Sequence, residues 1–558
     1  MIRVVFWIVL ILILLSQFVY TVSVPYYHQF GNHLNKQVFL WQNENEYMLG
    51  LIFGNFAYWG FIIPFIIAAF ITFRASERIY SRYLTNPTRL DLNLKNIVFA
   101  LTGCALFFIG MRGRVSLKTP LHEGLAMISN SNYINSIATN PNYTFWKNSF
   151  FESEQNYTPP ENIKEIVSQT QCDFGFNDES LCFTRSVKAD SVVRRKNVVL
   201  VIMESMCLFK MGYYGGEKTY PLFDSIVRES VFFDHFFSSG IHTFNGVFSS
   251  LTGFPGIYDE QPLIKYTKKP LNCTSSILKQ NGYSTQFFTT HDKYFDNMAG
   301  FLRLNAFDEI YGDEIYNNNE NLSSLGVPDH VLFNEFIKHT NQRESKSPFF
   351  SVLLTSSDHG PWKVPDEIPF KPNAKNEEQA AAQYADWSVY TFLQNAKKQN
   401  WYSNTIFMFV GDHGLSMGHT YQMPLSYHHI PFVVHCPTAL CADTIHKVSY
   451  QPDIQATTLG MLGITYTNST FGIDLFKENE HPFVFFTADD KAGAITTNNE
   501  YFFIKNNSQQ KFMYRNYEKL SETNLYNVRK AHCDSLQNKL KNALEAAKYL
   551  IRQKYYAY

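Results

Sequence analysis

Two runs in this chain fit a strand buried on both faces better than anything else. Asn197-Val-Val-Leu-Val-Ile-Met203 passes directly into Glu204-Ser205, and Thr405-Ile-Phe-Met-Phe-Val410 into Gly411-Asp412-His413-Gly414. Each is apolar at consecutive rather than alternate positions, as expected of a strand held between layers of helix. In such sheets ligands collect beyond the carboxyl ends of the strands. The pattern therefore predicts that Glu204, Asp412 and His413 meet at one sheet edge, although about two hundred residues separate them. Two carboxylates and an imidazole suit one divalent metal, Mn²⁺ first, with Zn²⁺ or Mg²⁺ as alternatives.

Around these runs strands and helices alternate. Strands are expected at 231–237, 284–289, 349–355 and 431–435, and helices at 220–229, 275–281, 377–399 and 451–462. That alternation predicts an α/β domain with a mostly parallel sheet between helices. After Pro482 the pattern changes to short strands at 483–486, 501–505 and 511–515. A final helix at 527–552 completes a small C-terminal β/α subdomain.

The first part of the chain is different. Apolar runs at about 4–22, 49–73 and 94–111 are read as transmembrane helices. No small-residue cleavage site follows the first, which argues against a cleaved signal peptide. Arg74, Arg78, Arg82, Arg89 and Lys95 crowd the loop between the second and third runs. Positive residues stay on the cytoplasmic side, so three crossings deliver everything after about residue 112 to the extracytoplasmic face. The expected division is 1–111 anchor, 112–196 connector, 197–480 catalytic domain and 481–558 C-terminal part. A formal charge of −1 gives no footprint for nucleic acid. Cys172/Cys182 and Cys436/Cys441 are close pairs, open between disulfide and free thiol.

Thr243 is the third chemical element. Phe244, Val247, Phe248 and Leu251 follow it at helical spacing, which places Thr243 at or near a helix N-terminus. Taken alone it reads as an N-cap, worth about 1 kcal/mol. In company with Glu204 and Asp412-His413 it reads as a hydroxyl facing an anion held at that terminus, activated by the metal as a nucleophile.

The ordered set of Glu204-Ser205 after a strand, the Thr243 helix, Ser357-Asp358-His359-Gly360-Pro361 and Gly411-Asp412-His413-Gly414 resembles the alkaline phosphatase/sulfatase superfamily. Within it, the chain looks like the lipoteichoic acid synthase branch of membrane-anchored phosphoglycerol transferases. Arg112-Gly113-Arg114 and Tyr427-His-His-Ile-Pro-Phe432 belong to the same resemblance, which runs over about residues 95–480. It implies Thr243 as nucleophile, and Glu204, Asp412, His413 and the Thr243 oxygen as metal ligands. It implies His359 beside the substrate phosphate or leaving group, with His291, Asn297 and His429 as further substrate-binding residues. The implied reaction is double displacement through a phospho-threonine, with a membrane phospholipid as donor and an envelope glycan or lipid as acceptor, at the bacterial cytoplasmic membrane. Phosphoethanolamine transfer and phosphodiester or sulfate-ester hydrolysis are the alternatives, and a decayed, non-enzymatic site is the third.

Two departures stand out. Teichoic acid synthases carry a Trp and an Arg in the substrate loop, where this chain reads Phe295-Asp296-Asn297-Met298, with Arg303 beyond. Type I sulfatases need a Cys or Ser in a Cys/Ser-x-Pro-x-Arg motif, and Thr243-Phe-Asn-Gly-Val247 stands here instead. Histidines are also dense (His242, His291, His359, His419, His428, His429), and each is as readily a capped core residue as a ligand.

Overall fold

The computed structural model describes residues 2–30, 34, 56–84 and 94–113, short pieces between 115 and 147, and residues 157–553 with gaps of at most seven residues. It falls into two compact units, Met1–Thr158 and Pro159–Tyr558.

In the first unit, Arg3–Tyr27 and Trp59–Arg82 are long and apolar enough to cross a membrane. They lie in the helices Ile2–Phe30 and Phe56–Ile79, with Tyr80–Leu84 continuing the second. Ile66, Phe70 and Ile71 stay more than half exposed, a surface that water penalises and hydrocarbon does not. Gln17 Nε2 donates to Thr72 Oγ1 across the pair at 2.7 Å. The third expected run forms the helix Leu94–Arg112, whose apolar part, Leu94–Gly110, is shorter than the other two. The start of the run expected from residue 49 lies outside the described residues.

The second unit is built on an eight-stranded sheet. Its strands are β1 (Asn197–Met203), β2 (Val231–Phe233), β3 (Ser284–Thr289), β4 (Glu309–Tyr311), β5 (Phe349–Leu354), β6 (Thr405–Gly411), β7 (Phe432–His435) and β8 (Asp443–Ile445). The order across the sheet is β8-β2-β7-β6-β1-β5-β3-β4. The sheet is mixed: β7 runs antiparallel to both its neighbours, and the other pairings are parallel. The reason lies in the connection. A parallel neighbour needs a crossover of a dozen residues or more, usually a helix. Between β6 and β7 the chain instead loops through Asp412-His413, and the helical turn described there is Leu425–Tyr427.

β1 is buried along its whole length, between β5 and β6. Val199, Val201 and Met203 face the helices Asp329–Asn341 and Glu377–Ala396 through Phe333, Phe336, Val389 and Phe392. Phe333 and Phe392 stack with ring centroids 4.5 Å apart. On the opposite face the helix Asp453–Met461 lies over Met408, whose sulfur accepts from the Thr458 hydroxyl at 3.3 Å. Double-sided burial therefore follows from helices on both faces.

A second sheet, β9 (Phe483–Ala488), β10 (Lys491–Thr496), β11 (Glu500–Lys505) and β12 (Gln510–Arg515), is antiparallel throughout. The helix Lys530–Gln553 is tied to it by Arg529 and His532, both paired with Glu500. Lys539 of this helix also pairs with Asp173 at 3.2 Å. Asp173 ends the helix Ile163–Asp173, so the end of the expected connector is part of the compact unit. Cys436 and Cys441 are free thiols, as is Cys172; Cys182 lies outside the described residues.

Candidate metal and active site

Strand register builds the site. Met203 pairs with Gly411, so Glu204 and Asp412 are each the first residue beyond adjacent strand ends. Asp412 N–H donates to the Met203 carbonyl at 3.1 Å and continues the ladder by one bond. Ser205 then turns the chain with φ +53°, an uncommon conformation for a residue with a Cβ. The turn is held by three bonds. Ser205 N–H donates to Asp412 Oδ1 (2.9 Å), its hydroxyl to Glu204 Oε1 (2.9 Å), and its carbonyl accepts from Lys210 Nζ (2.9 Å).

Glu204, Asp412 and His413 each direct a ligand atom to one point, all within 4.8 Å of one another. His413 Nδ1–H donates to the Gly414 carbonyl at 2.6 Å, which leaves Nε2 as the lone-pair nitrogen. That nitrogen lies 3.4 Å from Asp412 Oδ2 and 3.7 Å from Glu204 Oε1. Asp412 Oδ1 is satisfied by the Ser205 and His413 amides, whereas Oδ2 is buried with no hydrogen-bond partner. A buried carboxylate oxygen without a donor is costly unless a cation takes the place of one. The donor set thus fits a divalent metal. Burial, and then the charge of Asp412, pushes the Glu204 carboxyl up to about 7. Burial pulls His413 down, but Asp412 and Glu204 outweigh it and leave the imidazole above its usual value.

Thr243 completes the cluster. It is the first residue of the helix Thr243–Thr252, and its hydroxyl donates to Glu204 Oε2 at 3.2 Å. The helix is seated close because Gly246 has no side chain: a Cβ there would stand 2.8 Å from the Asp412 backbone.

The family model described as Sulfatase matches residues 196–464. Those residues form a sulfatase-family domain. The chain is 23% identical over 390 residues to a lipoteichoic acid synthase-like protein, YvgJ, of Bacillus subtilis, covering 63% of this chain and 59% of that one. It is 23% identical over 373 residues to lipoteichoic acid synthase of Staphylococcus aureus, covering 60% and 57%. The match thus spans less than two thirds of the length of these relatives. Among solved structures, an alkaline phosphatase superfamily protein from Vibrio parahaemolyticus superposes with a TM-score of 0.62 at 24% identity. It covers 71% of this chain and 97% of that one. Lipoteichoic acid synthase LtaP from Listeria monocytogenes gives 0.56 at 19%, covering 69% and 97%.

The sulfatase domain places the remaining expected residues unequally. His359 is exposed, and Nδ1–H donates to the Gly360 carbonyl at 2.7 Å, leaving Nε2 outward. Electrostatically it lowers both the Glu204 carboxyl and the His291 imidazole. His291 is buried, 2.9 Å from the Thr289 hydroxyl, and burial holds it neutral, down to about 4. Asn297 sits with φ +61° and spends its amide N–H on the Leu263 carbonyl at 2.7 Å. His429 donates from Nε2 to the Asp234 carbonyl at 2.7 Å and stacks on Phe237. It is the neighbouring His428 that interacts electrostatically with His413; its Nε2 is buried without a hydrogen-bond partner. His419 lies outside the described residues.

Support for the site came from residues that sequence reasoning passed over. Lys210 is 3% exposed and pairs with Asp358 Oδ2 at 2.5 Å, an oxygen that also accepts from the Tyr220 hydroxyl. One lysine thus ties the Ser205 turn to the loop that carries His359. Gln451 Nε2 donates to the Gly411 and Asp412 carbonyls, at 3.0 and 2.7 Å. No local pattern announces either residue, because each acts on a loop distant in sequence.

Two outcomes are expected. A Gly246→Ala methyl meets backbone rather than a flexible side chain, so the substitution should cost about 2 kcal/mol, read by urea denaturation, and lower turnover with it. Metal affinity should depend on pH in a definite direction. Glu204 and His413, both raised, must each lose a proton to act as ligands, so affinity cannot be level until the pH exceeds about 7. Below it, affinity falls by about tenfold per unit or more, as calorimetric titrations between pH 5.5 and 8.5 would show.

Proposed function

We propose that this chain is a membrane-anchored, metal-dependent transferase. It moves a phosphoglycerol-type head group from a phospholipid donor to an envelope glycan or lipid, through a phospho-threonine at Thr243. The observation that carries the reading is the Thr243 hydroxyl, at a helix N-terminus and 3.2 Å from Glu204 Oε2 in the cluster with Asp412 and His413. The similarity to lipoteichoic acid synthases supports the head group and the lipid donor. The apolar helices support a site working at a membrane. In this reading residues 1–111 anchor the chain, 112–196 connect, 197–480 catalyse outside the bacterial cytoplasmic membrane, and 481–558 close the fold.

Glu204, Asp412, His413 and the Thr243 oxygen would hold the metal, Mn²⁺ first. When bound, it supplies Lewis acidity that lowers the Thr243 hydroxyl pKa and offsets phosphoryl charge. The side chains do the rest. Thr243 Oγ bonds to phosphorus while the bond from phosphorus to the diacylglycerol oxygen breaks. The proton lost by Thr243 passes to solvent, the leaving diacylglycerol oxygen takes one from protonated His359 Nε2, and His359, which is exposed, regains a proton from solvent. His291, held neutral beside His359, donates or accepts a hydrogen bond without adding charge. Asn297 and His429 shape the substrate loop and the floor. An acceptor hydroxyl then displaces Thr243 from phosphorus.

The test is release of diacylglycerol by the full chain in nanodiscs, with phosphatidylglycerol and phosphatidylethanolamine supplied separately. Metal-dependent release from phosphatidylglycerol is expected, with transfer to added acceptor. Release of free glycerol phosphate alone, at a rate no acceptor changes, would make the enzyme a hydrolase.

A further inference from the structure

Asp358 is the last buried residue of the loop that leaves the strand Phe349–Leu354, and the next is Ile368. His359 opens the stretch between them, so the position of its imidazole depends on how Asp358 is held. The residues before it are fixed to neighbouring elements. Thr355 N–H donates to the Ile202 carbonyl at 3.1 Å, and the Ser356 and Ser357 amides donate to Asp329 Oδ1 at 2.9 and 3.1 Å. Asp358 is held through its side chain. Oδ2 accepts from Lys210 Nζ at 2.5 Å and from the Tyr220 hydroxyl, while Oδ1 is buried without a hydrogen-bond partner.

The two donors are set by one backbone knot, because the Lys210 carbonyl accepts from the Thr219 and Tyr220 amides at 3.0 and 3.3 Å. The lysine also reaches the other way, to the Ser205 carbonyl at 2.9 Å. Ser205 orients the two carboxylates of the cluster: its amide holds Asp412 and its hydroxyl holds Glu204. One ammonium, its side chain 4% exposed, thus touches both the turn behind the carboxylates and the residue before His359. Stability alone is a weak reason for such a pair, since apolar residues of similar volume often serve as well or better. Placement is a stronger one. Thr243 attacks phosphorus while the diacylglycerol oxygen departs, and a catalytic group displaced by about 1 Å loses about a hundredfold in rate.

We propose that Lys210 is a positioning residue for protonation of the leaving group, holding the His359 loop in register with the turn behind Glu204 and Asp412. The inference rests on the transferase reading above. His359 Nε2 gives its proton to the diacylglycerol oxygen as the bond from that oxygen to phosphorus breaks. Loss of Lys210 is therefore felt where the departing oxygen needs that proton, and not where it leaves without one.

The experiment uses the full chain in nanodiscs with Mn²⁺ and compares two donors. One is phosphatidylglycerol; the other is the 4-nitrophenyl diester of glycerol phosphate, whose phenolate departs unprotonated. Lys210→Met strands the buried Asp358 charge, so a second variant, Lys210→Met with Asp358→Asn, removes both charges and guards against misfolding. In both variants labelling of Thr243 from phosphatidylglycerol should slow at least about a hundredfold, while labelling from the nitrophenyl ester stays within about threefold. Equal slowing with both donors overturns the proposal and makes the lysine a support of the whole site. So does unchanged labelling from phosphatidylglycerol. Hydrogen exchange gives a readout that needs no turnover: amides of residues 355–361 should exchange at least about tenfold faster in both variants, while those of Asn197–Met203 keep their rates. Unchanged exchange in the loop overturns the placement whatever Thr243 does. If neither donor labels Thr243 in the unaltered chain, the transferase reading alone falls, and the exchange rates still decide whether Lys210 positions His359.

Discussion

Thr243→Ala should leave a folded, metal-binding protein with almost no turnover. The substitution removes one hydroxyl, whose bond in the structure is to Glu204 Oε2 at 3.2 Å. The side chain is partly exposed, and the helix it begins keeps its His242 N-cap and its buried face of Val247, Phe248 and Leu251. The cost in stability is therefore small, about 1 kcal/mol for one lost hydrogen bond. The loss of a nucleophile is of another order. Removing one from a site that works as a unit costs roughly 10⁴-fold or more in rate. Diacylglycerol release and thermal denaturation, measured on the same preparation, separate the two effects. Turnover within tenfold of the unaltered chain would remove Thr243 from the reaction.

Asp412→Asn should produce a second, opposite dissociation. Asp412 is fully buried, and its Oδ2 lacks a donor. In the metal-free protein its charge is a liability: after burial, it is the largest influence raising the Glu204 carboxyl. An asparagine keeps an oxygen for the Ser205 and His413 amides and removes the like charge. The metal-free variant should therefore melt at or above the temperature of the metal-free parent. Metal-bound, the order reverses. At a concentration of 1,000 Kd the parent gains about 4 kcal/mol. Loss of a charged ligand should weaken affinity at least about a hundredfold, leaving about 1.4 kcal/mol of that gain at the same concentration. Melting curves with and without Mn²⁺ test both halves. An undiminished metal-induced shift in the variant would contradict the ligand role.

The strands that carry the site could be read from sequence because their cause is local. After Asn197, the strand Asn197–Met203 is a continuous apolar run that ends at the polar Glu204, and burial alone sets its limits. Glu309–Tyr311 and Asp443–Ile445 escaped the reading: each has three residues and carries too little pattern to stand out. The antiparallel course of Phe432–His435 was also hidden, because direction depends on the connection and not on the strand's own residues. At the site the same rule holds. Glu204 and Asp412-His413 announce themselves as charges at the ends of apolar runs, whereas Lys210 is one lysine among many until the fold buries it against Asp358. The pair His428-His429 shows the limit most sharply. Adjacent and chemically identical, they part company because one ring stacks on Phe486 and faces His413, while the other stacks on Phe237 and bonds the Asp234 carbonyl.

Peptide mass spectrometry of the full chain, quenched during turnover with Mn²⁺ and phosphatidylglycerol, tests the central claim most directly. The account predicts a glycerophosphate adduct on Thr243, absent without metal and absent from Asp412→Asn. Metal-dependent release of diacylglycerol with Thr243 unmodified at every time point, or with the adduct on another residue, would contradict it.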